Sequence, residues 1–174
     1  MRAELEDTDP QDWDKYHGQG NVKELIQLQL DVLDGTKPIK NLFIAPRGQG
    51  KTTLFRIIGK KAMDRLGGRY IEVTPAILRT KAQVDDLMES LQPGDILCVD
   101  EIHMFERKIA DMLLPAIEDS VYPFETGMDR IPYPIHWLGA TTDVGLLPEA
   151  FQDRFQVISL QPLSQDDLFN ILMD

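Results

Sequence analysis

One stretch limits the possible folds more than any other: NLFIAPRGQGKTTLF, residues 41–55, where a short apolar run gives way to a glycine loop, a lysine, two hydroxyls and then a helical repeat. An apolar run directly before such a loop reads as a strand buried on both faces. After the loop, Leu54, Ile58, Ala62 and Leu66 fall on one stripe of a helix from Lys51 to Leu66, and Gly67 stands where a left-handed cap would close it. Strand, loop and helix in this order bring backbone N–H groups and the positive end of a helix to one point, as a chain of phosphates requires. Pro46, Arg47, Gly48, Gln49, Gly50, Lys51, Thr52 and Thr53 are therefore the expected phosphate-binding residues. The glycines let the backbone curl around the β-phosphate, Lys51 reaches the β and γ oxygens, and the Thr52 hydroxyl holds Mg²⁺. Ala45 stands where such a loop usually opens with a glycine, at the strand exit, where a small side chain matters more than a positive φ. Pro46 then fixes the exit direction.

A second strand supplies what the loop lacks. PGDILCVDEIH, residues 93–103, is an apolar run that ends in two acids. Asp100 is the expected support of the Mg²⁺ shell, and Glu101 the general base that polarises an attacking water. His103, one of three histidines with no ligand-like spacing, is assigned a packing or hydrogen-bonding role. IHWLGATT, residues 135–142, reads as a further strand, with Thr142, ahead of Thr141, as the residue that senses the γ-phosphate or orients the water. In LPEAFQDRF, Arg154 is a candidate for neutralising transition-state charge in a neighbouring subunit, against the plainer reading of a surface ion pair with Asp153 or Glu149.

The rest of the chain alternates strand and helix. RYIEVT (69–74) and FQVISL (155–160) read as strands; 21–33, 80–91 and 106–118 show helical spacing, the last with Pro115 inside it. Pro123, Pro132, Pro134 and Gly127 mark 121–134 as a protruding loop or irregular hairpin. The pattern implies an α/β fold with three layers: a five-stranded, mainly parallel sheet flanked by helices, as in P-loop NTPases. With 174 residues, 43% of them apolar, one compact domain is the default. A formal net charge of −11 excludes a broad basic face for nucleic-acid phosphates. Cys98 lies within an apolar run as a buried, inert thiol, and no segment has the length or apolarity of a membrane span, so the cytoplasm is the expected compartment.

The landmarks DKYHGQGNVKE (14–24), PRGQGKTTL (46–54), PGDILCVDEIH (93–103), LLPAIED (113–119) and LGATTDVGLLPEAFQDRF (138–155) together resemble the AAA+ ATPases, specifically the RuvB family of Holliday-junction branch-migration motors, over nearly the whole chain. The resemblance implies an ATP-hydrolysing core of a DNA branch-migration or helicase motor. It implies that Tyr16, His17, Gly18 and Gln19 lie beside the adenine, that Asp100 and Glu101 form the Walker B pair, that Thr142 is the first sensor and that Arg154 is an arginine finger reaching into the next protomer. ATP or ADP with Mg²⁺ would be the ligands, a ring, usually a hexamer, the active form, and a RuvA-like protein a partner. By the same resemblance, 1–20 form a lead-in to the adenine pocket, 21–163 the large ATPase domain and 164–174 the start of a truncated or absent helical lid, with DNA contacted through missing or partner domains. Met104 and Asp143 stand where the family usually has arginine, and 120–137 is shorter than the family's partner-docking hairpin. The alternative of another class is a nucleotide-dependent assembly or adaptor module, like a helicase or clamp loader, with little hydrolysis of its own.

Overall fold

The computed structural model describes residues 12–124, 127–131 and 133–173, so residues 1–11 of the lead-in, Glu125, Thr126 and Pro132 of the segment 121–134, and Asp174 lie outside the described residues. The strands are β1 (Lys40–Ile44), β2 (Tyr70–Val73), β3 (Ile96–Val99), β4 (Val121–Phe124), β5 (Gly127–Arg130), β6 (His136–Thr141) and β7 (Gln156–Ser159). The helices are α1 (Gly20–Asp31), α2 (Lys51–Leu66), α3 (Lys81–Ser90), α4 (Arg107–Asp119), α5 (Glu149–Gln152) and α6 (Gln165–Met173). Five strands form one sheet in the order β2-β3-β6-β1-β7, every pair parallel. This is the three-layer architecture that the alternating pattern implies.

Side chains on a strand point alternately to the two faces, and each face has its own apolar layer. Leu42, Leu97, Val99 and Trp137 face Val84 and Met88 of α3 and Ile109, Leu113 and Ile117 of α4. Their neighbours Phe43, Ile96, Cys98, Leu138 and Ala140 face Ile26 and Leu30 of α1 and Leu54, Ile57 and Ile58 of α2. Cys98 is 1% exposed, and burial raises its thiol pKa, in keeping with an inert role. Each fully buried Leu or Ile contributes about 1.5–3 kcal/mol relative to its exposed state, so the double layer is what holds the strand ends in register.

Local chemistry sets the helix limits. Gly67 closes α2 at φ 73, its N–H donating to the Met63 carbonyl at 2.8 Å. Thr80 and Gln83 form a reciprocal capping box on α3. Helix α4 runs through Pro115. Packing against β2 is close: a Cβ on Gly59 would fall 2.1 Å from a ring carbon of Tyr70, so any larger residue must displace that ring.

The proline-bearing segment is an antiparallel hairpin, β4 with β5, whose root is part of the core rather than a mere protrusion. Tyr122 is fully buried and its hydroxyl donates to Asp85 at 2.7 Å, while Ile131 is 6% exposed.

Candidate active site

In a parallel sheet all strands end on the same side, so the loops after β1, β3 and β6 converge. There the first two border a cleft of about 560 Å³ lined by Arg47, Gly48, Gly50, Lys51, Thr52, Thr53, Asp100 and Glu101. Gly48 and Gly50 take φ of 79 and 76, which turns the loop into the first turn of α2. No side chain caps α2 at Gly50, so the N–H groups of its first turn and its positive dipole end are left for the cleft.

Lys51 is 8% exposed, and its ammonium donates to the carbonyls of Ala45 at 2.6 Å and Pro46 at 3.2 Å. An ammonium has three protons, so one donor remains after these two bonds. Ala45 is 2% exposed within the apolar layer, and its N–H donates to the Thr141 carbonyl at 3.2 Å. The methyl that replaces the usual glycine is thus absorbed by the core.

The acids follow β3. Glu101 has φ 50, a left-handed conformation that costs a non-glycine residue of order 1–3 kcal/mol and persists only where its surroundings hold it. Three groups do so at one oxygen, Oε2: the Thr142 N–H and hydroxyl donate to it, each at 3.3 Å, and His103 Nδ1 lies 3.3 Å away. Arg47 Nε is 3.9 Å from Oε1. The Glu101 N–H donates to Asp100 Oδ1 at 2.9 Å. His103 Nδ1 also meets the Thr141 hydroxyl at 2.8 Å, so His103 bridges the two strand ends by hydrogen bonding. Thr142 faces the acid, whereas Thr141 is fully buried and turned to His103 and Asp143.

The lead-in packs against the loop. The Tyr16 ring lies beside Gly50, 3.1 Å from where a Cβ would stand; it is 5% exposed, and burial pushes its hydroxyl pKa up to about 12. That hydroxyl has no hydrogen-bond partner among the described residues. Gln19 is otherwise committed: its amide donates to the Gln161 carbonyl at 2.6 Å and accepts from the Gln161 N–H at 3.0 Å, leaving one N–H for anything beside it. Gln49 accepts from the Leu163 N–H at 3.1 Å, which places its carbonyl oxygen on the strand exit that precedes α6 rather than in the cleft. Gly18 packs against Leu163 of that same exit and Asp167 of α6.

Arg154 lies apart from the cleft altogether. It precedes β7, at the sheet end where β1 and β7 begin, whereas the cleft lies where β1 ends; the strands between span about 13 Å. It borders a second cleft of about 640 Å³ with Lys37, Lys40 and Asn41. Its ion partner is Glu118, at 2.9 Å, and not Asp153 or Glu149. No periodicity or short spacing in the sequence points to a partner 36 residues away.

Chemically, the cleft combines a cation, free helix N–H groups, a hydroxyl and two carboxylates. Thr52 and Asp100 offer the oxygen donors that a hard divalent cation prefers. No group of three or more His, Cys, Asp or Glu residues able to hold a metal without a substrate occurs among the described residues.

Comparison with known proteins gives one consistent answer. Residues 8–160 match the family described as the Holliday junction DNA helicase RuvB P-loop domain. The chain is 32% identical to the Holliday junction branch migration complex subunit RuvB of Enterococcus faecalis over 174 residues and 28% identical to that of Pediococcus pentosaceus over 173; each match covers 94% of this chain and 50% of the relative. The solved structure of the Thermotoga maritima RuvB Holliday junction branch migration motor aligns with a TM-score of 0.77 and 29% identity, covering 94% of this chain and 52% of that one. The chain therefore spans about half the length of the curated relatives it matches.

Proposed function

Because the chain belongs to the RuvB P-loop domain family, we propose that it binds ATP in the cleft between Lys51 and Glu101 and hydrolyses it as the motor core of a DNA branch-migration machine. The observation that carries this reading is Glu101: a carboxylate held in a left-handed backbone, with Thr142 at its Oε2, in the same cleft as a buried loop lysine.

In this reading Lys51 and the first N–H groups of α2 take the β- and γ-phosphates, and Tyr16 packs the loop from behind while residues 16–19 border the base. Mg²⁺, held from Thr52 and Asp100, supplies neutralisation of phosphate charge. Glu101 accepts the proton of the attacking water, and Thr142 fixes the direction of that carboxylate, so the two act as one unit. Arg154 cannot reach its own cleft, but on a neighbouring copy it meets the γ-phosphate as charge develops there. Turnover therefore belongs to a ring, a hexamer as in the family at large, and motion along DNA arises from relative movement of subunits. An acidic core of net charge −11 leaves the DNA contact to further domains or to a RuvA-like partner. Among the described residues no helix is long and apolar enough to cross a membrane, and the cytoplasm is the compartment where such a motor meets its DNA.

The decisive test is Glu101→Gln. Steady-state ATP turnover should fall by roughly 10²–10⁴-fold, the range of a lost general base, while calorimetric titration with ATP still shows binding. Undiminished turnover would remove Glu101 from the mechanism. ATP binding without product formation in the unaltered, assembled protein would instead favour an adaptor module.

A further inference from the structure

Arg154 is fixed at its backbone and steered at its tip. Its neighbours Phe151 and Phe155 are 3% and 8% exposed, and its own N–H donates to the Phe151 carbonyl at 3.2 Å. At the other end Arg154 Nη2 donates to Glu118 Oε2 at 2.9 Å, whereas its Nε is buried with no hydrogen-bond partner among the described residues. Glu118 lies in the last turn of α4, where carbonyls lack helical partners. The Glu118 carbonyl is taken by the Lys40 ammonium at 2.9 Å, a cation at a helix C-terminus, as the dipole favours. Lys40 begins β1, so the strand that leads to the phosphate loop also pins the residue that holds the arginine.

The geometry points to Glu118 as the positioning residue of the arginine finger, a role that rests on the reading of Arg154 given above. A guanidinium on a four-bond tether samples many rotamers, and only a few aim it at a neighbour's phosphate. One charge-assisted bond from a carboxylate narrows that set yet leaves other guanidinium N–H groups to donate. Two features make the pair suited to orienting rather than to stability. Both side chains keep some exposure, 26% for Arg154 and 46% for Glu118, so the bond contributes little to folding. The anchor behind Glu118 is the main chain of α4, whose bond to Lys40 does not involve the Glu118 side chain.

The test compares Glu118→Ala, Glu118→Gln and Arg154→Ala in the assembled protein, each alone and each mixed with Glu101→Gln subunits, by steady-state ATP turnover with a melting curve for every variant. Glu118→Ala should lower kcat about tenfold, on the scale of a misplaced catalytic group, with KM for ATP within about twofold and an unchanged melting temperature. Glu118→Gln, which keeps the acceptor and the length, should retain most of the rate. Mixing with Glu101→Gln subunits should restore turnover at the Glu118→Ala sites, because the finger that serves them then comes from a neighbour with an intact Glu118. A merely structural defect stays within its own subunit and is not rescued. If Arg154→Ala loses turnover but Glu118→Ala keeps or gains it, or its loss is not rescued by mixing, the positioning role is wrong and the finger reading stands. If Arg154→Ala itself keeps full turnover, the finger reading fails and Glu118 falls with it.

Discussion

The two ends of one sheet put their polar groups to opposite uses. Where the strands finish, Lys51, Asp100 and Glu101 border a cleft, and Thr142 braces the acid. Where they begin, buried polar groups are turned to the main chain and side chains of neighbouring elements. Asp95, 1% exposed just before β3, accepts from the main-chain N–H groups of Arg69 and Gln92, each at 2.8 Å, and from the Arg69 guanidinium. His136, 1% exposed at the start of β6, accepts at Nδ1 from the Ile39 N–H at 3.1 Å. Fully buried Asn41 donates to Gln29 at 2.7 Å. One end leaves donors and acids open for a ligand; the other spends the same atom types on fixing strand entry. Substitutions should accordingly change turnover at the first end and stability at the second, and Arg154 with its partner Glu118, which lie at the second end, are expected to break the division.

That exception gives the largest effect. Arg154→Ala protein should lose at least about 10³-fold in kcat, the lower range for an arginine finger, with an unaltered melting temperature. When it is mixed with Glu101→Gln protein, turnover should exceed the sum of the two alone, since each supplies what the other lacks; a simple sum would mean that no residue crosses between subunits. At the entry end, Asp95→Ala strips a buried carboxylate from several donors and should cost about 2–4 kcal/mol in urea unfolding. The unfolding midpoint should move while ATP turnover per folded site holds; a turnover defect of the same size would blur the two ends.

His136 makes the comparison pH-dependent. Burial lowers its pKa from 6.5 to about 4, so below pH 6.5 the unfolded chain binds a proton that the folded chain refuses. Stability contributed by the neutral ring is therefore complete above that value and lost as pH falls towards about 4. About 2 kcal/mol should be gone by about pH 5, and His136→Gln should show a shallower decline of melting temperature over the same interval. Parallel declines in the two proteins would contradict the assignment. The smallest effect belongs between the ends: Gly59→Ala forces the Tyr70 ring aside and should cost about 1–2 kcal/mol, with ATP binding retained. Equal stability in that variant would mean that β2 yields more easily than its packing indicates.

The opening end was readable because its residues are contiguous and their conformations are dictated locally. The loop, its lysine and the helix from Lys51 to Leu66 have the same limits in sequence and structure, since glycines in left-handed conformations bracket the helix on both sides. Asp100, Glu101 and Thr142 were legible as strand ends, and a parallel sheet brings strand ends together. The entry end was less so. Asp95 reads as the polar first residue of a strand, and nothing in DILCVD reveals that Arg69 arrives beside it from 26 residues away. Likewise the partner of Arg154 comes from α4, and the left-handed φ of Glu101 has no signature in a sequence without glycine at that position. The hairpin at 121–134 was half visible: prolines marked a departure from the sheet, but Tyr122 and Ile131 return to the core because Asp85 and the α4 layer receive them.

The side-chain amides of Gln19 and Gln49 have a consequence for how the molecule is observed. The main-chain N–H of Gln161 is held by Gln19 Oε1 and that of Leu163 by Gln49 Oε1, so neither proton is protected by a helix or a strand ladder. Each is freed for exchange when its glutamine side chain lets go. Deuterium uptake at these two amides is thus a clock for how firmly the segment before α6 is tied to the lead-in and to the phosphate loop, separate from the slow exchange of the sheet behind it and readable without any label on the nucleotide.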